Sequence, residues 1–186
     1  DEHFDSFAAM YYEELEKLYG KAKYYSMDPF HEGGNTEGVD LAKAGTSIMG
    51  AMKKANPEAV WVMQAWQANP REAMVSTLDS GDLLVLDLYS EKLPQWGDPE
   101  SMWYREKGFG KHDWLYCMLL NFGGNVGLHG RMEQLVNGYY NACAHVNGKT
   151  LRGVGATPEG IENNPVMFEL LYELPWREER FAPDAW

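Results

Sequence analysis

Five short apolar runs, at residues 24–27, 60–64, 83–88, 114–120 and 151–155, punctuate this chain, and most intervals between them carry helical periodicity. Leu83-Leu84-Val85-Leu86 shows no polar alternation, and the runs beginning at Val60 and Trp114 are nearly as apolar. Strands buried on both faces read this way, and they occur in parallel α/β sheets. Residues 7–19 show a helical stripe of Phe7, Met10, Tyr11, Leu15 and Leu18, stopped by Gly20. Residues 40–55 read as a helix closed by Asn56-Pro57, and Pro70 opens another that runs to about Leu78. Residues 130–146 and 164–174 read as the last two helices, and a long aromatic and charged loop passes through Trp96, Trp103 and Gly110. The pattern predicts an α/β fold of about five parallel strands alternating with helices. No Gly-x-Gly-x-x-Gly follows the first strand, which weighs against a dinucleotide-binding fold.

Distinctive polar residues cluster just after the strand ends: His31 and Glu32, Gln64 with Trp66, Asp87, Asn121 and Asn125, and Glu159. In a (β/α) barrel those positions form the active face, and a full barrel has eight strands. Five runs therefore predict a partial (β/α)8 TIM-type barrel, whose open sheet edges require partner segments.

The chain has 186 residues, enough for one sizeable core, and it is rich in Trp and Tyr, with seven and eleven. Those rings fit either an aromatic core or a cleft that stacks sugars. A net charge of -12 excludes a nucleic-acid partner, which needs clustered Lys and Arg, and an anionic membrane surface. No apolar stretch is long enough to span a membrane. Cys117 and Cys143 lack the spacing of a metal knuckle or redox pair and read as buried thiols. The opening Asp1-Glu2-His3-Phe4 reads as an internal stretch, so the chain is expected to be a piece of a longer protein.

Four constellations can carry chemistry. Asp28-Pro29-Phe30-His31-Glu32-Gly33-Gly34 places a carboxyl beside glycines that admit a ligand closely, or else a solvated Glu in a turn. His31-Glu32 has no second His one helical turn on, so a zinc reading of this motif fails, and the expectation is of no cofactor. Gly155-Ala156-Thr157-Pro158-Glu159-Gly160-Ile161 offers a second Glu after a strand, or a favourable acid at a helix N-terminus. Together the two supply what glycoside hydrolysis needs, a pair of carboxyls flanking one bond. In Met63-Gln64-Ala65-Trp66, Trp66 can stack on a sugar or sit in the core, and Gln64 can bind a hydroxyl. In Asn121-Phe122-Gly123-Gly124-Asn125 the amides can serve sugar hydroxyls or cap a turn. Asp87 can orient a catalytic group or satisfy a local backbone donor, and Tyr89, Trp96 and Trp103 can wall a subsite.

These strings, with Glu173-Leu174-Pro175-Trp176-Arg177, together resemble glycoside hydrolase family 89, the α-N-acetylglucosaminidases, in the family's order and over nearly the whole chain. The resemblance implies removal of terminal α-linked N-acetylglucosamine from glycans with retention of configuration and without a metal. It implies Glu32 as acid/base, Glu159 as nucleophile and Trp66 as a pocket aromatic. His31 stands where some relatives have Asn, and Leu120 where some have His. It implies that residues 1–186 are the C-terminal portion of the barrel, with the rest of the barrel and the flanking domains as further segments of the same enzyme. The implied location is periplasmic or secreted in bacteria and lysosomal in animals. The rival expectation is a carbohydrate-binding or structural piece without activity. A phosphate-binding α/β enzyme lacks its Gly-rich loop with Lys.

Overall fold

The computed structural model describes residues 3–120, 129–160 and 163–186. Its centre is a sheet of five parallel strands in the order β1 (Tyr24–Ser26), β2 (Val60–Ala65), β3 (Leu83–Asp87), β4 (Asp113–Met118) and β5 (Leu151–Ala156). Each strand pairs in parallel with the next in sequence. The sheet does not close, so it forms an arc of a (β/α) barrel with β1 and β5 at its edges.

Burial alternates along β2 and β3. Trp61, Met63 and Ala65 are fully buried, while Val60, Val62 and Gln64 between them are half-buried. β3 repeats this, with Leu83, Val85 and Asp87 buried against Leu84 and Leu86 half-buried. In β2 and β3 the expectation of burial on both faces therefore holds for one face only, whereas at the end of β4 Tyr116, Cys117 and Met118 are buried in succession. The buried face packs on the helices, and in a closed barrel the half-buried face would line the lumen.

Among the described residues five α-helices follow or precede these strands: α1 (Phe4–Tyr19), α2 (Leu41–Ala55), α3 (Glu72–Val75), α4 (Met132–Ala144) and α5 (Pro165–Glu173). Asp40 caps α2 by accepting the Lys43 amide at 3.0 Å, and Asn164 caps α5 by accepting that of Val166. Gly45, Ile48, Met49 and Met52 form the inner row of α2. Gly45 is obligatory, because a Cβ there would lie 2.0 Å from the Met74 carbonyl oxygen. Met52, Met63 and Leu83 are almost wholly buried, each worth roughly 1.5–3 kcal/mol. Leu135 and Val136 of α4 and Leu170 and Leu171 of α5 extend the same core.

Several expectations need correction. α1 turns Phe4, Ala8, Tyr12 and Leu15 inward, whereas Phe7, Met10, Tyr11 and Leu18 are more than half exposed. Both rows are apolar, and only the first meets α2 and β1. α3 is a single turn starting at Glu72, not a helix from Pro70 to Leu78. The Asn69 and Pro70 carbonyls accept from the Arg105 guanidinium, and Arg71 is extended, so helical bonding cannot begin at Pro70. Cys117 is buried as expected, but Cys143 is exposed. Trp61, Trp96 and Trp114 belong to the core.

Candidate active site

The C-terminal ends of the strands converge on one rim. After β1, Asp28 ties the chain to β2. Its Oδ1 accepts from the Gln64 amide at 2.7 Å and from Asn69 Nδ2 at 3.0 Å. Burial raises the Asp28 carboxyl above its usual range, and those bonds with the His31 ring pull it back. Trp61 Nε1 donates to the Met27 carbonyl at 2.7 Å, fixing the approach to the same loop. Phe30 (φ 58) and Glu32 (φ 45) are both left-handed, a conformation few non-glycine residues adopt without constraint. Gly33 follows at φ 90, and a Cβ on Gly34 would lie 2.7 Å from the Phe30 Cα. The knot leaves the Glu32 side exposed and His31 half-buried, with His31 Nε2 buried and without a hydrogen-bond partner.

At the end of β2, Gln64 lies on the half-buried face with Val60 and Val62. Trp66 is 8% exposed and forms a small second cluster with Leu88 and Leu119. Its ring meets Trp103 edge-on at 4.6 Å and lies nearly parallel to Tyr89, at 6.3 Å. Trp66 therefore shows only a margin of its ring, and Tyr89 and Trp103 flank it. Trp96 does not join them; it lies in the main core with its ring against His145.

Asp87 is fully buried on the helix-packed face, with Leu83 and Val85. Its Oδ2 accepts the Gln95 amide at 2.9 Å. Asp87 therefore satisfies a local backbone donor, and its side chain is fully buried. Burial pushes its carboxyl up to about 7. The loop beyond is held by Arg105, whose guanidinium donates to Gln95 Oε1 and to the carbonyls of Asn69 and Pro70.

Glu91 was not expected from the sequence. It is 5% exposed, and its Oε1 accepts from the amides of Leu119 (3.0 Å) and Leu120 (2.8 Å) at the end of β4. Burial pushes it, too, up to about 7. Its one sequence signal was its place shortly after a strand end.

Beyond β5, Thr157 donates its amide to the Met118 carbonyl at 3.0 Å and its hydroxyl to the Leu88 carbonyl at 3.1 Å. Two residues on, Glu159 is exposed. Asn121 and Asn125 lie outside the described residues. The rim thus offers two exposed carboxyls, Glu32 and Glu159, each on a braced loop at opposite edges of the arc. Curving an arc of strands into a barrel wall turns such edge loops toward a common mouth. Among the described residues no group of three His, Cys, Asp or Glu is arranged to hold a metal, and no helix is long and apolar enough to cross a membrane.

Comparison with known proteins adds family and fold relatives. The α-N-acetylglucosaminidase TIM-barrel domain family matches residues 1–178. Human α-N-acetylglucosaminidase is 36% identical over 199 residues, covering 100% of this chain and 26% of its own length. A family 89 glycoside hydrolase from Clostridium perfringens, in complex with 2-acetamido-1,2-dideoxynojirmycin, superposes with a TM-score of 0.85 at 33% identity, over 98% of this chain and 20% of that one. A second structure from that organism, with two glutamates changed to glutamine and in complex with its substrate GlcNAc-α-1,4-galactose, superposes equally well at 32% identity. The chain therefore spans about a quarter of the human relative and a fifth of the clostridial ones.

Proposed function

Because the chain belongs to the family of the α-N-acetylglucosaminidase TIM-barrel domain, we propose that the polypeptide carrying it is a retaining glycoside hydrolase that removes terminal α-linked N-acetylglucosamine from glycans. Residues 1–186 supply the C-terminal portion of its barrel, and other segments of the same polypeptide complete the pocket. A bacterial version would work in the periplasm or outside the cell, and an animal version in the lysosome.

The Glu159 carboxylate attacks the anomeric carbon as the bond to the aglycone oxygen breaks. Protonated Glu32 gives its proton to that oxygen. Glu32, now a carboxylate, takes a proton from water, whose oxygen bonds to the anomeric carbon while the bond to Glu159 breaks. Retention needs the two carboxyls roughly 5–5.5 Å apart. Gln64 and His31 face the sugar beside them, Trp66 lends its ring edge, and Asn121 and Asn125 bind hydroxyls or the acetamido group. Asp87 acts only from behind, through the Gln95 backbone.

The observation that supports this best is the placement of two exposed glutamates, each after a strand of one parallel sheet, one beside the left-handed turn at Phe30 and one two residues beyond the hydrogen-bonded Thr157. The test is hydrolysis of an α-N-acetylglucosaminide by the complete polypeptide, followed by proton NMR of the first sugar released. Release of the α-anomer is expected. Binding without turnover would favour a carbohydrate-binding piece instead, and first release of the β-anomer would overturn retention.

A further inference from the structure

Among the described residues of the rim, Glu91 is a carboxyl that the chemistry above leaves unused. Glu91 lies in the loop after β3, buried, with both bonds of its Oε1 spent on the amides of Leu119 and Leu120. Those residues directly follow β4, and Leu120 is left-handed at φ 62. A branched side chain is held there only if its surroundings over-determine the backbone. Two amide donors on one carboxylate oxygen do that.

The same strand end carries the Glu159 arm. The carbonyl of Met118, immediately before Leu119, accepts the Thr157 amide at 3.0 Å. The Thr157 hydroxyl bridges back to the Leu88 carbonyl, three residues before Glu91. The Glu91 loop is itself sewn to β4, with the Ser90 amide donating to the Cys117 carbonyl at 3.0 Å and the Tyr116 hydroxyl to the Ser90 carbonyl at 3.2 Å. Glu91, the end of β4 and Thr157 therefore form one hydrogen-bonded bracket, and Glu159 hangs two residues beyond it.

We propose that Glu91 is a positioning residue for Glu159: its carboxyl fixes the turn at the end of β4, and that turn holds Thr157 and with it the arm bearing the nucleophile. This rests on the role given to Glu159 above. The bracket requires an acceptor oxygen and does not require charge near the reacting atoms.

That requirement sets the test, made on the complete polypeptide. Glu91→Gln keeps an acceptor, while Glu91→Met fills the space without one. Glu91→Gln is expected to keep kcat within about threefold, and Glu91→Met to lower it by about 10–100-fold with KM little changed, the signature of a misplaced reacting group. Thr157→Val should act in the same sense. The double variant E91M/T157V should be about as slow as the worse single one, because both changes cut the same bracket. Wild-type kcat in Glu91→Met, equal losses in Glu91→Gln and Glu91→Met, or simple additivity would each overturn the proposal. Amide hydrogen exchange gives a readout that needs no turnover. The Leu119, Leu120 and Thr157 amides should exchange faster in Glu91→Met and not in Glu91→Gln. If the wild-type polypeptide fails to hydrolyse the glycoside, the assigned activity falls on its own, and unchanged protection of Thr157 in Glu91→Met would separately sink the bracket.

Discussion

Asp28 and Asn69, 41 positions apart, are joined by a hydrogen bond of 3.0 Å that locks the loop after β1 to the loop after β2. Asn69 is 3% exposed, and its amide also donates to the Gln64 carbonyl. Glu32 depends on this joint, because Asp28 begins the left-handed knot that presents it.

Replacing Asn69 by Ala should cost about 1–3 kcal/mol, since it strips a half-buried carboxylate oxygen of one donor. The denaturation midpoint of the complete polypeptide should fall, and activity should fall with it. An unchanged midpoint would mean that the Gln64 amide alone satisfies Asp28.

Gly34→Ala should be far more damaging than Gly50→Ala. A Cβ on Gly34 would stand 2.7 Å from the Phe30 Cα, whereas nothing lies within 4 Å of one on Gly50. Turnover of the two variants makes the comparison, with loss expected only in the first.

Arg105→Lys should also destabilise, although the charge is kept. The guanidinium reaches Gln95, Asn69 and Pro70 at once, a fork that one ammonium cannot reproduce. A loss of about 1.5–3 kcal/mol is expected from bonds to a charged, partly buried group, and thermal denaturation measures it.

Stability should depend on pH through Asp87. Burial raises its carboxyl from an ordinary 3.8 to about 7 in the folded chain. Between those values the folded state binds the extra proton, so the contribution of Asp87 is most favourable at low pH and is lost as pH rises through the window. Asp87→Asn keeps an acceptor for the Gln95 amide and cannot ionise. The difference in denaturation midpoint, variant minus wild type, should therefore grow from pH 5 to pH 7.5. A constant difference would show that Asp87 stays ionised throughout.

How much of this could be read beforehand depends on how local the cause is. The five strands were legible because each apolar run is closed by nearby turn residues, as Asp28-Pro29 closes the first. α3 was not, because the group that ends its upstream reach, Arg105, lies 35 positions away from Pro70. The inward row of α1 was ambiguous, since Phe4-Ala8-Tyr12-Leu15 and Phe7-Met10-Tyr11-Leu18 are both apolar and only contact with β1 and α2 chooses between them. Glu32 and Glu159 stood out because glycine and proline flank them after strands. Glu91 did not, because it stands in a loop with no glycine or proline beside it, and its partners are the amides of a distant strand end.

The most direct measurement is the turnover of an α-N-acetylglucosaminide by Glu32→Gln and Glu159→Gln variants of the complete polypeptide, each checked for wild-type folding. Both should lose activity by about 10²-fold or more. Near-wild-type turnover in either would contradict the pairing of these two carboxyls across one sugar.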